Sequence, residues 1–194
     1  MNISYIFVEI IKKSTTMKKL IFTLIVTLIS LVSFSQKTKY DTTLVRQVKL
    51  EKLVLQYIND YRVSLGRKPV KWDDNIYRVA AHHARYLAFR GIQLSHFETQ
   101  DRPNHVEVRY FCDRVRYFNI PSRESIENIT SAYVYEFETQ KDYEKVAHEI
   151  VNNWINSIAH KNSMIQYNME VGAVSIFLEE GHYMVPVLVM SDYE

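Results

Sequence analysis

Only one cysteine, four glycines and four prolines stand among the 194 residues. A single cysteine excludes an intramolecular disulfide framework and any zinc site built on several thiolates. So few glycines exclude collagen-like and Gly-rich linker character. Charge of one sign is also missing: 24 Lys and Arg face 22 Asp and Glu, and no basic run is long enough to make a nucleic-acid surface. There is no internal repeat and no low-complexity tract. What is present is apolar. Hydrophobic residues make up 47% and aromatic residues 13%, which argues against disorder. The length suits one domain with a hydrophobic core that needs no staples.

No apolar run reaches the roughly 20 residues of a membrane-spanning helix. The longest, residues 20–32, is broken by Thr23, Thr27 and Ser30. Met17-Lys18-Lys19 precedes it, and Ser33-Phe34-Ser35 places small residues before Gln36. This is the layout of a secretory signal peptide from Met17 to Ser35, cleaved before Gln36. No cysteine stands at the cleavage point, so no lipoprotein is expected. Residues 1–16 read as an extension ahead of a start at Met17. Removing residues 1–35 takes away four lysines and one glutamate, and the net charge falls from +2 to −1. The basic balance therefore belongs to the targeting segment. The expected location is secreted or periplasmic, with no membrane span after cleavage. Disulfides persist there, yet only Cys112 is available, so stability must come from the core.

Residues 36–44 are a polar, flexible lead, and residues 45–194 form the domain. Val48, Leu53, Val54, Tyr57, Ile58 and Tyr61 fall at helical spacing, and Gly66 and Pro69 end that helix. Asp73 is placed to cap a second helix, with Ile76, Val79, Ala80, His83, Ala84 and Leu87 on its inner face and Gly91 closing it. Residues 92–125 read as irregular, with a short helix around 106–118. Residues 132–138 alternate enough for a strand. Asp142 is expected to cap a third long helix running to Asn162, with Val146, Ile150, Trp154 and Ile155 inward. Strands follow at 170–178 and 182–190, joined by a turn at 179–181. Helices first and an antiparallel hairpin last predict an α+β domain.

Four groups of polar residues recur in one order. They are Asn59-Asp60-Tyr61-Arg62, Leu94-Ser95-His96, Glu127-Asn128-Ile129, and the stretch from Trp154 through Ser157 and His160 to Asn162. With Trp72-Asp73, His83-Ala84 and Val171-Gly172, the ordered set resembles the CAP superfamily (cysteine-rich secretory proteins, antigen 5 and pathogenesis-related proteins), or SCP domain. The likeness is to its disulfide-free bacterial secreted members and covers about residues 50–190.

The resemblance implies a three-layer α-β-α sandwich with a small antiparallel sheet. It also implies a cleft of two histidines and one or two glutamates, which in some members binds zinc or another divalent ion. Carried over, His96 and His160 are the metal-binding histidines and Glu127 is the catalytic glutamate. Asn128 and Ser157 support the cleft. Neutral imidazoles are good zinc ligands. Glu127 would take a proton from a bound water or hold an imidazole in its ligating tautomer. The alternative is a hydrogen-bonded network that stiffens the cleft, and both readings stay open.

The sequence departs from the family pattern in two places. Ser157 stands where eukaryotic members have a second glutamate, and Ile126 stands where a glycine usually precedes the Glu-Asn pair. The expected function is an extracytoplasmic binding module for a protein, glycan or lipid ligand. The rivals are a metal-dependent hydrolase of peptide or cell-wall polymer, with Glu127 as general base, and a lipid or sterol carrier. The lipid-binding loop of eukaryotic members has no counterpart here.

Other residues have plainer readings. His83 is a satisfied core histidine and His82 a solvated neighbour. His148-Glu149 lacks the second histidine of a zincin, since Asn152 holds that place. Asn59 and Arg62 bridge neighbouring elements. Cys112 reads as a small buried residue. Asn128-Ile129-Thr130 matches a glycosylation sequon. Tyr110, Phe111, Tyr117 and Phe118 read either as cover for the core or as a rim of the cleft, since aromatic loops often line carbohydrate or peptide sites, whereas packing accounts for Tyr133, Tyr135 and Phe137.

Overall fold

The apolar spacing of residues 48–61 does produce a helix. In a computed structural model, which describes residues 22–27, 47–90, 94–98, 108–133, 139–179 and 183–193, residues 47–64 form helix α1. Gly66 closes it at φ +71, and the amide of Arg67 returns to Arg62 O at 2.9 Å. Strand β1 (Lys71–Trp72) leads into helix α2 (Asp74–Arg90). Asp73 caps α2, since its Oδ1 accepts the amides of Asn75 and Ile76 at 2.9 and 2.8 Å. Gly91, expected to close α2, lies outside the described residues.

Helix α3 (Phe111–Tyr117) and strands β2 (Ser125–Ile129) and β3 (Ala132–Tyr133) follow. Helices α4 (Gln140–Ile155) and α5 (Ile158–Met164) come next, and the chain ends in β4 (Val171–Glu179) and β5 (Tyr183–Ser191).

The sheet runs β1-β4-β5-β2, with β3 also paired to β5. β4 and β5 form the expected antiparallel hairpin, while β1 joins β4 in parallel. Of the residues expected at its turn, 179–181, Glu179 still belongs to β4, and residues 180 and 181 lie outside the described residues. Alternation along the strands sorts the core into two layers. Val174, Ile176, Met184, Leu188 and Met190 pack with α1, α4 and α5. Val171, Ala173, Val185, Val187 and Val189 pack with α2 and α3. The result is the three-layer α-β-α sandwich. Pro186 interrupts nothing. Ile176 opposite it points its amide outward to Glu51, so the nitrogen of Pro186 faces the step between β2 and β3.

The chain divides into two units, Met1–Val45 and Arg46–Glu194. In the first, residues 22–27 are helical and exposed, and the rest of the expected signal segment lies outside the described residues. Among the described residues, no helix is long and apolar enough to cross a membrane.

Several expectations are corrected. β2 begins where the stretch read as irregular ends, in residues for which no strand was expected. It carries two buried polar residues, Glu127 and Asn128, where an apolar alternation would have marked a strand. The short helix covers only residues 111–117. Thr139, not Asp142, caps α4: Asp142 is the third residue and returns a hydrogen bond to Thr139 N at 2.8 Å, closing a capping box. The third long helix stops at Ile155, because Ser157 takes extended backbone and starts α5 separately. Cys112 is exposed rather than buried. Tyr133 is also exposed, and residues 134–138 of the expected strand lie outside the described residues.

The Val-Gly pair has a packing reason. A Cβ at Gly172 would lie 3.0 Å from both Met190 Cγ and Val70 Cγ2, and 3.3 Å from Val189 O. Gly172→Ala is expected to cost about 1–3 kcal/mol by overpacking. Urea unfolding measures it, and a loss below about 0.5 kcal/mol would show that the neighbours simply shift.

Candidate functional site

Two successive residues of edge strand β2 build the site. Side chains alternate across a sheet, so Glu127 and Asn128 point to opposite layers. Glu127 faces α2 and α3. Asn128 faces α5, where its Nδ2 donates to His160 O at 2.9 Å. His96 reaches the same strand from the segment after α2.

The Glu127 carboxylate is buried and fully engaged. His96 Nδ1 donates to Oε1 at 2.8 Å, and Arg114 Nη2 donates to Oε1 and Oε2 at 2.9 and 2.8 Å. Burial pushes this carboxyl up. The His96 hydrogen bond and the charges of His83 and Arg114 outweigh that and hold it below the ordinary range. The His96 side chain remains 56% exposed, so its outer edge, with Nε2, faces solvent.

Behind Glu127 lies a second carboxylate–imidazole pair. His83 Nδ1 meets Glu98 Oε1 at 2.8 Å, and Nε2 meets Ser95 O at 2.7 Å. Burial raises the Glu98 carboxyl, but hydrogen bonds from His82 and His83 dominate and hold it at about 2. Both His83 nitrogens therefore face oxygen atoms. Arg114 ties the pairs together. Its Nη1 lies 3.6 Å from Glu98 Oε1, and its Nη2 also donates to His96 O at 3.3 Å. Glu98, Glu127, His83 and Arg114 are all buried, with the Arg114 guanidinium set between the two carboxylates.

Of the residues expected from sequence, His96 and Glu127 are brought together directly. Asn128 holds the backbone of His160. The His160 ring is half-buried, and burial and the charge of His96 both lower its pKa, so the two imidazoles feel one another. Ser157 is the N-cap of α5, but its side chain makes no capping bond. His83 is the satisfied core histidine expected. His82 is not freely solvated: its Nε2 lies 3.4 Å from Glu98 Oε2. Phe111 and Phe118 pack on the core, whereas Tyr110 and Tyr117 are exposed.

Arg114 and Glu98 were not singled out from sequence. A signal existed for Arg114, which shares the inward stripe of Phe111, Val115 and Phe118 at helical spacing.

The donor set fits a resident divalent ion poorly. Catalytic zinc ordinarily takes three protein ligands. Here two imidazoles are available, Ser157 replaces a carboxylate, and Glu127 is engaged by Arg114. Among the described residues, no group of three or more His, Cys, Asp or Glu is placed to hold a metal.

The profile of the cysteine-rich secretory protein family, CAP, matches residues 55–187. No protein of curated function matches the sequence significantly. Among solved structures, an outer surface protein from Borrelia burgdorferi is similar at TM-score 0.57 and 17% identity, over 74% of this chain and 92% of that one. An extracellular protein containing a SCP domain from Bacillus anthracis is similar at 0.54 and 14%, over 74% of this chain and 41% of that one. A cysteine-rich secretory protein from Staphylococcus aureus is similar at 0.54 and 11%, over 76% and 39%. The last two are much longer than the region matched here. On the extent of the family match, this chain belongs to the cysteine-rich secretory protein (CAP) family.

Proposed function

We propose that the domain is an extracytoplasmic binding module, not a hydrolase, and that the exposed His96 imidazole is its polar anchor, with His160 beside it. One observation carries this reading: both oxygens of Glu127 are engaged by Arg114 and His96. A general base needs a free lone pair near the substrate and a pKa near the working pH. Glu127 has neither. Its role is to position His96, engaging Nδ1 and turning Nε2 outward to solvent. A metal is not part of the reading, because two imidazoles alone make a weak site. The extracytoplasmic location rests on the signal-peptide pattern from Met17 to Ser35.

Two measurements on the purified protein test this. Labelled casein and dye-labelled peptidoglycan should show no turnover above the Glu127→Gln variant, with zinc or with chelator. Chelator-sensitive turnover that Glu127→Gln abolishes would overturn the binding-module reading. In zinc calorimetry, wild type and a His96→Ala/His160→Ala variant should behave alike. Stoichiometric binding lost in the variant would restore a metal site.

A further inference from the structure

Among the described residues, one cation near His96 is met by no carboxylate. Arg109 precedes α3, and its backbone oxygen accepts the Glu98 amide at 2.9 Å, which ties it to the segment carrying His96. Its guanidinium lies over the Phe97 ring at 4.5 Å and over the Tyr110 ring at 5.6 Å, and the two rings are 5.3 Å apart. Among the described residues this guanidinium has no carboxylate partner, and its buried Nε has no hydrogen-bond partner, which leaves the terminal nitrogens to meet a ligand. Arg114, five residues on, is the opposite case, with its charge met by Glu98 and Glu127. Of the two rings against Arg109, Tyr110 is exposed and Phe97 is half-buried.

A guanidinium stacked on aromatic faces keeps its in-plane N–H groups free and held in one orientation, which suits a carboxylate. The exposed Tyr110 ring beside it offers a flat apolar surface, which suits the C–H face of a sugar ring. An acidic peptide would bring backbone groups that need partners, and the 98–109 backbone pair already uses the nearest ones. We propose that this rim binds an acidic glycan, with Arg109 on the sugar carboxylate and Tyr110 beneath the sugar ring. The inference rests on the binding-module reading and names its class of ligand.

Fluorescein-labelled oligogalacturonate, titrated into the purified protein at low salt and followed by polarisation, tests it. Saturable binding is expected. Arg109→Met, which keeps the stacked stem but removes the charge, should weaken it at least tenfold, and added salt should weaken it too. Tyr110→Ala should also weaken it, and a neutral cello-oligosaccharide should not compete. No saturable binding, or equal binding by Arg109→Met with an unchanged melting profile, overturns the proposal. So does an oligoglutamate of equal charge that binds as tightly, which would point to a peptide. The two readings fail separately. Full binding by His96→Ala, with loss in Arg109→Met, supports the rim and removes His96 as anchor. Hydrolysis of the oligogalacturonate by wild type overturns the binding-module reading and leaves the rim site standing.

Discussion

Replacing Arg62 by alanine is expected to destabilise the domain by on the order of 4 kcal/mol, a large share of a typical domain's stability. Arg62 is completely buried on α1, and its contacts are backbone carbonyls rather than carboxylates. Nε donates to Lys68 O at 3.0 Å. Nη1 donates to Met164 O at 2.6 Å and Gln166 O at 3.1 Å, and Nη2 reaches Met169 O at 3.4 Å. One fork thus holds the end of α1, the end of α5 and the approach to β4. Truncation leaves these carbonyls without their donor and opens a cavity besides. Burial and the charge of Arg67 lower its pKa, but a guanidinium stays protonated in proteins. Arg62→Lys should recover less than half of the loss, because one ammonium cannot match a planar fork. Arg67→Ala is the control. Its side chain makes one bond, to Ile165 O at 2.8 Å, and stacks on the exposed Tyr167, so about 1 kcal/mol or less is expected. Guanidinium unfolding with an unchanged m-value reads all three. A loss below about 1 kcal/mol in Arg62→Ala would mean that water satisfies those carbonyls and that the fork holds nothing.

Glu51→Gln should act in the other direction and only at higher pH. Glu51 is buried on α1 against the outer edge of β4. Its Oε1 accepts from Ile176 N at 2.8 Å, Gln47 Nε2 at 3.1 Å, and the hydroxyls of Tyr77 and Ser175 at 3.4 Å. Its Oε2 is buried without a partner among the described residues. One oxygen therefore completes the sheet edge past the end of β1, while the other resists ionisation. Burial pushes the carboxyl up to about 7, against the lesser pull of these donors.

The folded state thus holds this proton more tightly than the unfolded chain, whose value is 4.5. The resulting stability is fully present below pH 4.5, falls as pH rises, and is gone above 7. The interval corresponds to about 3 kcal/mol. Glutamine mimics the protonated form and does not titrate. Wild type and variant should match near pH 4, and the variant should be more stable by about 3 kcal/mol at pH 8. Unfolding series across that range measure the difference, in which other titrating groups cancel. Parallel curves would show that Glu51 is ionised without strain and that the orphan oxygen is solvated.

The long helices and the final hairpin were legible because their signals are local, and the sandwich followed from the family resemblance. The apolar stripes of α1, α2 and α4 repeat at helical spacing, Asp73 and Gly66 mark helix ends by their own backbone chemistry, and the final hairpin alternates. Asn59 was also readable as a bridge: it pairs with Val70 through both its amide atoms at 2.9 Å. Where the local signal was absent, the reading failed. β2 is buried on both faces with polar residues in its middle, and Ser157 splits a helix that periodicity alone would continue.

The chain by itself pointed, through residue types in a fixed order, to the family, to the layer architecture that the family implies, and to His96 and Glu127, which the structure brings together. It did not determine what Glu127 does. A carboxylate near a histidine reads as base, ligand or buttress until its other neighbours are known. Those neighbours, Arg114 on α3 and the Glu98–His83 pair behind it, come from separate elements and meet only when α2 and α3 close over one face of the sheet. Burial then removes the water that would have shared the carboxylate. That lost hydration, together with a guanidinium across both oxygens, turns Glu127 from a candidate base into the support of His96.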